Sequence, residues 1–485
     1  MKKLPVIIIL TIGFLLRLYR INEPIADWHS HRQADTAAVT QIYNDEGFDF
    51  FHPRYFDISS TQSGVENPHG YRMVEAPIYN AISLFFGKIF GLNITLASRL
   101  VSILFSLGSG WLIYLIVVSL TSLPLAGLFS LAVFMFFPFN VYYSRVVLPE
   151  PSAAFFMLLS FYLFQKNLLL SGVALGISLL IKPYTGLIIS PVYALLILAQ
   201  PTKYLSKKNI LFLSLFSIIT LAPFGLWRLW ISQFPEGIPS SNWLLNNGVT
   251  TTFPAWYHGY NLSFLNKLIA FRPHWWYWLF QERLGILILG IFGTIPLFLG
   301  LAFNKKHTQS VTLGLLLGIL VYFVVIAQGN IQHDYYQTLI VPSLSIIVGI
   351  GYFYISQFLF NSIFAKSLAI LTIFVLSTYF SLDQVKNYYK INNQNIVTSA
   401  QKARELLPTD SLIIAPNNGD TTLLFQTGHF GWPVEIYDID SKINMYSPRP
   451  IYLLSLNYDK YTNDLMSKYP TVIKEPSYII LKLSP

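Results

Sequence analysis

The sequence predicts a polytopic α-helical membrane protein with about eleven transmembrane helices, followed by a small α/β domain outside the membrane. Three observations carry this. Of 485 residues, 53% are hydrophobic and only 11% charged, whereas soluble domains carry about 25% charged residues. Mean hydropathy is +0.50, and the apolar residues gather in long runs. From Ser381 onward Lys, Asp, Asn and Gln return and the runs shorten.

The chain opens on Met1-Lys2-Lys3, a short positive start. The run 4–18 resembles a signal peptide, but no small-residue cleavage site follows, so it reads as a retained first span with its N-terminus in the cytoplasm. Further spans are expected at 97–119, 124–139, 146–164, 168–181, 183–199, 210–230, 284–303, 311–327, 338–355 and 363–380. The segment 78–92 is apolar but short and contains Lys88, which fits a helix lying at the interface. Inner loops then hold Lys166, Lys203, Lys207, Lys208, Lys305, Lys306 and Lys366, as the positive-inside rule requires. An odd number of spans leaves the C-terminus outside. The expectation is an integral protein of the cytoplasmic (inner) membrane, with residues 1–380 as the membrane domain. Its long outer loops are 20–77 and 232–283, and 381–485 is the extracytoplasmic domain.

In that last domain 399–406 has helical character, and 411–415, 450–454 and 477–483 have strand character. Gly428-His429-Phe430-Gly431-Trp432 reads as a structural turn. No internal repeat is visible. The net charge of +9 and pI near 9.3 reflect loop lysines facing the cytoplasm, and no basic cluster has a soluble domain behind it, which argues against a nucleic-acid partner. The chain has no cysteine, hence no disulfide and no thiolate site.

Against this apolar background the outer-face polar residues stand out. The first loop begins DWHSHRQAD and ends YRMVEAPIY. It supplies Asp27, His29, His31, Arg32, Asp35 and Glu75, and helical spacing puts His31, Arg32 and Asp35 on one face. Arg145 and Glu150 lie in YYSRVVLPEPS, and Lys182 in LIKPY. The second long loop holds His258, Arg272, His274, Glu282 and Arg283, and HDYYQ supplies His333, Asp334, Tyr335 and Tyr336. The topology places all five groups on one side. Ionisable residues at membrane depth are costly and mark cavities or pathways. An ion pair of Arg145 with Glu150 is the plainer reading of that segment.

These residues carry a resemblance. The first-loop acidic site, Glu75-Ala76-Pro77, the SRxxxPE segment at 144–150 and HDYYQTLIVP at 333–342 resemble the GT-C superfamily of polyprenyl-phosphate-sugar glycosyltransferases. Glycosyltransferase family 39, with its protein O-mannosyltransferases and lipid A aminoarabinose transferases, is the nearest in pattern. The resemblance covers the membrane half. The family often has an Asp-Glu pair opening the first-loop helix; here HRQADTA offers the single carboxylate Asp35. Lys-Pro-Pro after the second carboxylate is replaced by Ala76-Pro77-Ile78.

The resemblance implies transfer of a sugar from a polyprenyl-phosphate-linked donor to an acceptor outside the membrane, with inversion. The chemistry needs a base for the acceptor hydroxyl, cations for the departing phosphate and tolerance of oxocarbenium character. Asp35 and Glu75 are the candidate catalytic carboxylates. Arg32, Arg145, Lys182, Arg283, His333 and Tyr336 are the candidate phosphate ligands, Arg through its bidentate fork. His29, His31, Asp35 and Glu75 are acceptable ligands for a divalent ion: Mg²⁺ or Mn²⁺ for an oxygen-rich set, Zn²⁺ for a His-rich one. The Trp275-Trp276-Tyr277-Trp278 run suits either a groove for the lipid tail or an interfacial aromatic belt in the bilayer. The acceptor (protein, lipid or glycan) is not encoded in any motif. A lipid or glycan transporter or flippase is the competing class; it would show repeat symmetry and helices broken at the midplane.

Overall fold

The computed structural model describes residues 4–240, 273–302, 306–359 and 361–484, without the side chains of 207–208 and 306–307. His258 and Arg272 lie outside the described residues. In chain order the helices are α1 (Leu4–Arg17), α2 (Ser30–Asp45), α3 (Ile78–Phe90), α4 (Ile94–Thr121), α5 (Pro124–Phe136), α6 (Pro138–Tyr143), α7 (Glu150–Phe164), α8 (Leu168–Ile181), α9 (Thr185–Ala199), α10 (Pro201–Tyr204), α11 (Lys207–Ile231), α12 (Pro273–Trp278), α13 (Thr294–Ala302), α14 (Lys306–Val325), α15 (Ala327–Gln332), α16 (Val341–Tyr354), α17 (Ile363–Val385), α18 (Gln394–Leu406), α19 (Thr422–Thr427), α20 (Ile439–Tyr446) and α21 (Lys460–Met466). The strands are β1 (Leu412–Ile414), β2 (Gly431–Trp432), β3 (Ile451–Ser455), β4 (Thr471–Glu475) and β5 (Tyr478–Lys482).

Among the described residues, five helices are long and apolar enough to cross a membrane: Ile94–Thr121, Asn209–Ile231, Thr308–Val325, Asp334–Leu359 and Ile363–Leu406. Shorter apolar helices occupy the other runs read from the sequence, including α1, α5, α7, α8 and α9. The run 284–303 departs from a single helix. A π-helical stretch, Leu279–Ile288, is separated from α13 by Gly290 at φ 55° and Ile291 at φ 60°. A Cβ on Gly290 would lie 1.8 Å from the Ser377 carbonyl oxygen, so the backbone of α17 passes where a side chain would be. Glycine tolerates both the left-handed backbone and the close approach.

The chain forms two compact units. The first comprises Met1–Tyr19, Ser102–Trp227 and Ser241–Lys386. Its helices pack α7 on α8, α9 on α14, and α16 on both α5 and α13. Small residues let backbones meet, as membrane helix pairs require: a Cβ on Gly318 would come within 2.0 Å of the Ile188 carbonyl. Arg17, the one charge in the first apolar run, is buried. It donates to Ser144 Oγ at 2.6 Å and the Met135 carbonyl at 2.9 Å.

The second unit comprises Arg20–Val101, Arg228–Ser240 and Asn387–Pro485. Its sheet has the order β2-β1-β3-β5-β4, with β1 parallel to β2 and β3, and β5 antiparallel to β3 and β4. The three strand segments and the helix read from sequence all appear, as β1, β3, β5 and α18. The first loop joins this sheet. Ile58 N–H donates to the Gly431 carbonyl and Gly431 N–H to the Phe56 carbonyl, each at 2.9 Å, and Ile58 enters the apolar core around Trp432, Leu453 and Ile479. A Cβ on Gly431 would sit 1.8 Å from the Ile413 carbonyl, so the expected Gly-flanked turn contains a sheet rung that only glycine fits.

Candidate active site

The first cluster is built on α2, in the second unit. His29 precedes the helix in left-handed backbone, at φ 52° and ψ 36°. Gln33 then reaches back to Asp27 at 2.7 Å. Two residues on, Asp35 is 3% exposed and both its oxygens are engaged. Arg72 Nη2 is 3.0 Å from Oδ2, and the Thr421 hydroxyl donates to Oδ1 at 2.6 Å. The Arg72 guanidinium also lies over the Tyr55 ring, 5.2 Å from its centroid. Arg32, expected among the phosphate ligands, carries Glu75 as its ion-pair partner. The two carboxylates picked out by sequence are thus each matched to a guanidinium, Asp35 to Arg72 and Glu75 to Arg32, 43 positions away.

Arg72 and Thr421 are partners that the sequence motifs do not mark. Arg72 was visible as a charge three residues before Glu75; Thr421 is 386 positions from Asp35 and gives no local signal. α19, which carries Thr422 and Gln426, fixes this end of α2: Thr422 Oγ1 meets Ser30 Oγ at 3.1 Å, and Gln426 donates to the Ile25 carbonyl at 2.8 Å. Burial pulls the His31 imidazole below its usual pKa, against the raising effect of Asp35 and Asp420, which favours the neutral ring. Another carboxyl nearby, Asp57, is fully buried. Burial pushes it up to about 7 although Ser59 N–H donates to it at 2.8 Å.

The same cluster tests the metal reading. Among the described residues, no three His, Asp or Glu side chains converge as a ligand set. Asp35 and Glu75 face cations instead. A guanidinium beside a carboxylate competes electrostatically with a metal ion there, so His29, His31, Asp35 and Glu75 do not fit as a ready-made ligand set.

The second cluster lies in the first unit, at the ends of apolar helices. Lys182 closes α8 in extended backbone, φ −148° and ψ 104°, as a residue before proline must. Its ammonium is 3.0 Å from Glu150, which opens α7. Both are buried, and Lys182 rather than Arg145 is the ion-pair partner found for Glu150. Arg145 is 1% exposed and donates to the Tyr19 carbonyl. Arg283 donates to the Ile331 carbonyl at 3.2 Å, lies 3.9 Å from Asp334 and covers the Trp278 ring at 4.8 Å. Asp334 also accepts from the Tyr143 hydroxyl. His333 stacks on Tyr335, and Tyr335 on Tyr336; Tyr322 donates to the Tyr336 carbonyl at 3.0 Å. Of the aromatic run, Trp275 is fully buried and Tyr277 is 67% exposed, so its rings do not share one surface.

Comparison with known proteins decides the fold. Structures align along nearly the whole chain with ArnT from Cupriavidus metallidurans bound to undecaprenyl phosphate. The TM-score is 0.69 at 12% identity, with 100% of this chain and 98% of that one covered. The chain has the GT-C fold. A second GT-C neighbour is the Archaeoglobus fulgidus oligosaccharyltransferase solved with Zn and sulfate, at TM-score 0.57 and 12% identity, covering 92% of this chain and 67% of that one. The arabinofuranosyltransferase AftD from Mycobacteria matches at TM-score 0.52 and 12% identity, covering 100% of this chain and 42% of that one. Residues 74–227 match the family model described as dolichyl-phosphate-mannose-protein mannosyltransferase. No curated protein sequence matches. The GT-C likeness therefore extends past the membrane half, to the C-terminal residues as well.

Proposed function

We propose that this protein is a membrane glycosyltransferase that moves a sugar from a polyprenyl-phosphate-linked donor to an acceptor on the extracytoplasmic face, with inversion. The observation that carries the reading is Asp35, a buried carboxylate held from both sides by Arg72 and Thr421 on a GT-C fold. The match of 74–227 to a dolichyl-phosphate-mannose transferase model supports it, as do fold neighbours solved with undecaprenyl phosphate and with dolichol-phosphate. Among the described residues and the matched folds, no feature favours a transporter.

In the proposed reaction the acceptor hydroxyl attacks the anomeric carbon while Asp35 takes its proton. The bond from that carbon to the phosphate oxygen breaks, and polyprenyl phosphate leaves as an anion. The cations that stabilise it are Arg145, Lys182 and Arg283, with His333 and Tyr336 as hydrogen-bond donors. Thr421 and Arg72 fix the carboxylate plane, which keeps the base oriented without solvent reorganisation. Arg32 holds Glu75, the alternative base. The topology that goes with this has the N-terminus in the cytoplasm, about eleven spans, and both long loops with the C-terminal domain outside the cytoplasmic membrane.

The test is turnover by the purified protein with an undecaprenyl-phosphate sugar, read as release of undecaprenyl phosphate. Asp35→Asn keeps the shape and removes the basicity. The expected loss is about a hundredfold to ten-thousandfold in rate with donor binding retained. Near-normal turnover in that variant beside a dead Glu75→Gln would transfer the base to Glu75. The positive charge in this scheme comes from Arg and Lys, so turnover should persist in EDTA. Loss in EDTA with recovery on Mg²⁺, Mn²⁺ or Zn²⁺ would return His29, His31, Asp35 and Glu75 to a ligand role.

A further inference from the structure

α7 and α8 form a helical hairpin in the first unit, with Glu150 and Lys182 together at one end. At the other end, 15 residues or about 22 Å along α7, lies a cavity of about 340 Å³. Its walls include Lys166 and Asn167 from the α7–α8 turn, Lys203 and Tyr204 of α10, and Asn209 and Phe212 of α11. The volume falls within the roughly 300–1,000 Å³ of ligand sites. Neither lysine has a carboxylate partner among the described residues. Lys166 Nζ sits 3.6 Å from the centroid of the Tyr162 ring and Lys203 Nζ 5.0 Å from that of Tyr204. The sequence explains why: the first unit has four carboxylates, Glu150, Glu282, Asp334 and Asp383, and none lines the cavity.

Two further features point to an anion. Tyr204 is 3% exposed, lines the cavity, and its hydroxyl has no hydrogen-bond partner among the described residues. A buried hydroxyl left that way is costly unless something fills the place. The cavity also opens at the first turn of α8, where backbone N–H groups face outward and only that of Leu170 is capped by Asn167, at 3.0 Å. The rest of the lining is apolar: Phe164, Leu168, Leu169 and Phe212. Cations, amides and a phenol beside aliphatic and aromatic walls match a phosphodiester joined to acyl chains.

We propose that this cavity binds the headgroup of an anionic phospholipid, at the end of the bundle that the lysine distribution assigns to the cytoplasmic leaflet. Lys166 and Lys203 neutralise the phosphodiester, Tyr204 donates to its oxygens together with the second amide N–H of Asn209, whose first goes to the Lys203 carbonyl at 2.5 Å, and Phe212 and Leu169 meet the chains. The positive-inside rule accounts for lysines at this end but not for a cavity with a buried hydroxyl among them.

Native mass spectrometry of the full chain in neutral detergent tests this. Phosphatidylglycerol is titrated against phosphatidylcholine with the same acyl chains. The wild type should prefer phosphatidylglycerol by roughly ten- to thirtyfold, from two lysines near the headgroup. Lys166→Gln/Lys203→Gln should lower that preference to near one, with the melting temperature unchanged. Should the double variant fail to fold, Tyr204→Phe removes only the hydroxyl and should reduce the preference several-fold. An unchanged preference in either folded variant overturns the proposal. Inorganic phosphate is the probe for a soluble source. Phosphatidylglycerol adducts should survive it at millimolar concentration, and their full displacement would overturn the lipid assignment. The readout does not depend on transferase activity.

Discussion

At the scale of single residues, the geometry around Asp35 separates positioning from chemistry. Thr421 donates to Oδ1 and Arg72 pairs with Oδ2. Removing the hydroxyl in Thr421→Val leaves the charge of the carboxylate but not its orientation. Turnover should fall about tenfold or more, with donor affinity within a fewfold of wild type, and a split of kcat against KM reads this directly. Glu150 and Lys182 behave differently, because both are buried. Breaking such a pair leaves an uncompensated charge, costing about 3–5 kcal/mol, whereas replacing both partners is much milder. Lys182→Met should therefore lower the melting temperature sharply, and Glu150→Gln/Lys182→Met should recover most of it. Recovery of stability without recovery of donor binding is the outcome expected if Lys182 also holds phosphate.

Asp57 gives a pH prediction. Burial raises its folded pKa to about 7, above the usual carboxylate value near 4. The folded state then holds a proton that the unfolded state releases between those values. The contribution of Asp57 to stability is full below about pH 4 and is lost as pH rises through about 7. Asp57→Asn keeps an acceptor for Ser59 N–H and cannot ionise. The variant's melting temperature should gain on the wild type between pH 5 and pH 8, and a pH-independent difference would count against a protonated Asp57.

At the scale of elements, two glycines mark places where backbones meet. Gly431 carries the rung between β1 and the first loop, and Gly290 the break before α13. A methyl group at either would press on a carbonyl oxygen 1.8 Å away. Gly431→Ala should destabilise the second unit by about 1–3 kcal/mol or more, seen as a lower melting temperature and loosened hydrogen exchange in β1 and β2. The interrupted helix at 279–302 also shows what hydropathy misses. An apolar run tells that a segment is buried in something apolar. It does not tell whether the helix within it is continuous, because continuity depends on what crosses it.

At the scale of the whole molecule, the topology remains the property to measure. The chain has no cysteine, so one introduced thiol reports cleanly. Tyr437 is 81% exposed. Tyr437→Cys should react with an impermeant maleimide in intact cells, or in spheroplasts where there is an outer membrane. Labelling only after lysis would place the C-terminal residues in the cytoplasm.

Composition and hydropathy alone established a helical membrane protein, because transferring a segment into an apolar phase depends on that segment's own side chains. Short apolar runs likewise placed β1, β3 and β5, since a strand buried on both faces reads as a continuous apolar run in its own sequence. Glu75 and Asp35 were legible as isolated charges in an apolar chain, and their motifs pointed to the GT-C fold. Their partners were not. Which guanidinium meets which carboxylate depends on chain closure over tens to hundreds of residues, and no local pattern encodes it. Only the tertiary structure brought Thr421 to Asp35, paired Lys182 with Glu150, and set Ile58 and Gly431 in one rung, uniting the first loop with the C-terminal sheet. Burial and long-range hydrogen bonds decide those pairings, because a buried polar group must find its partner wherever in the chain that partner lies.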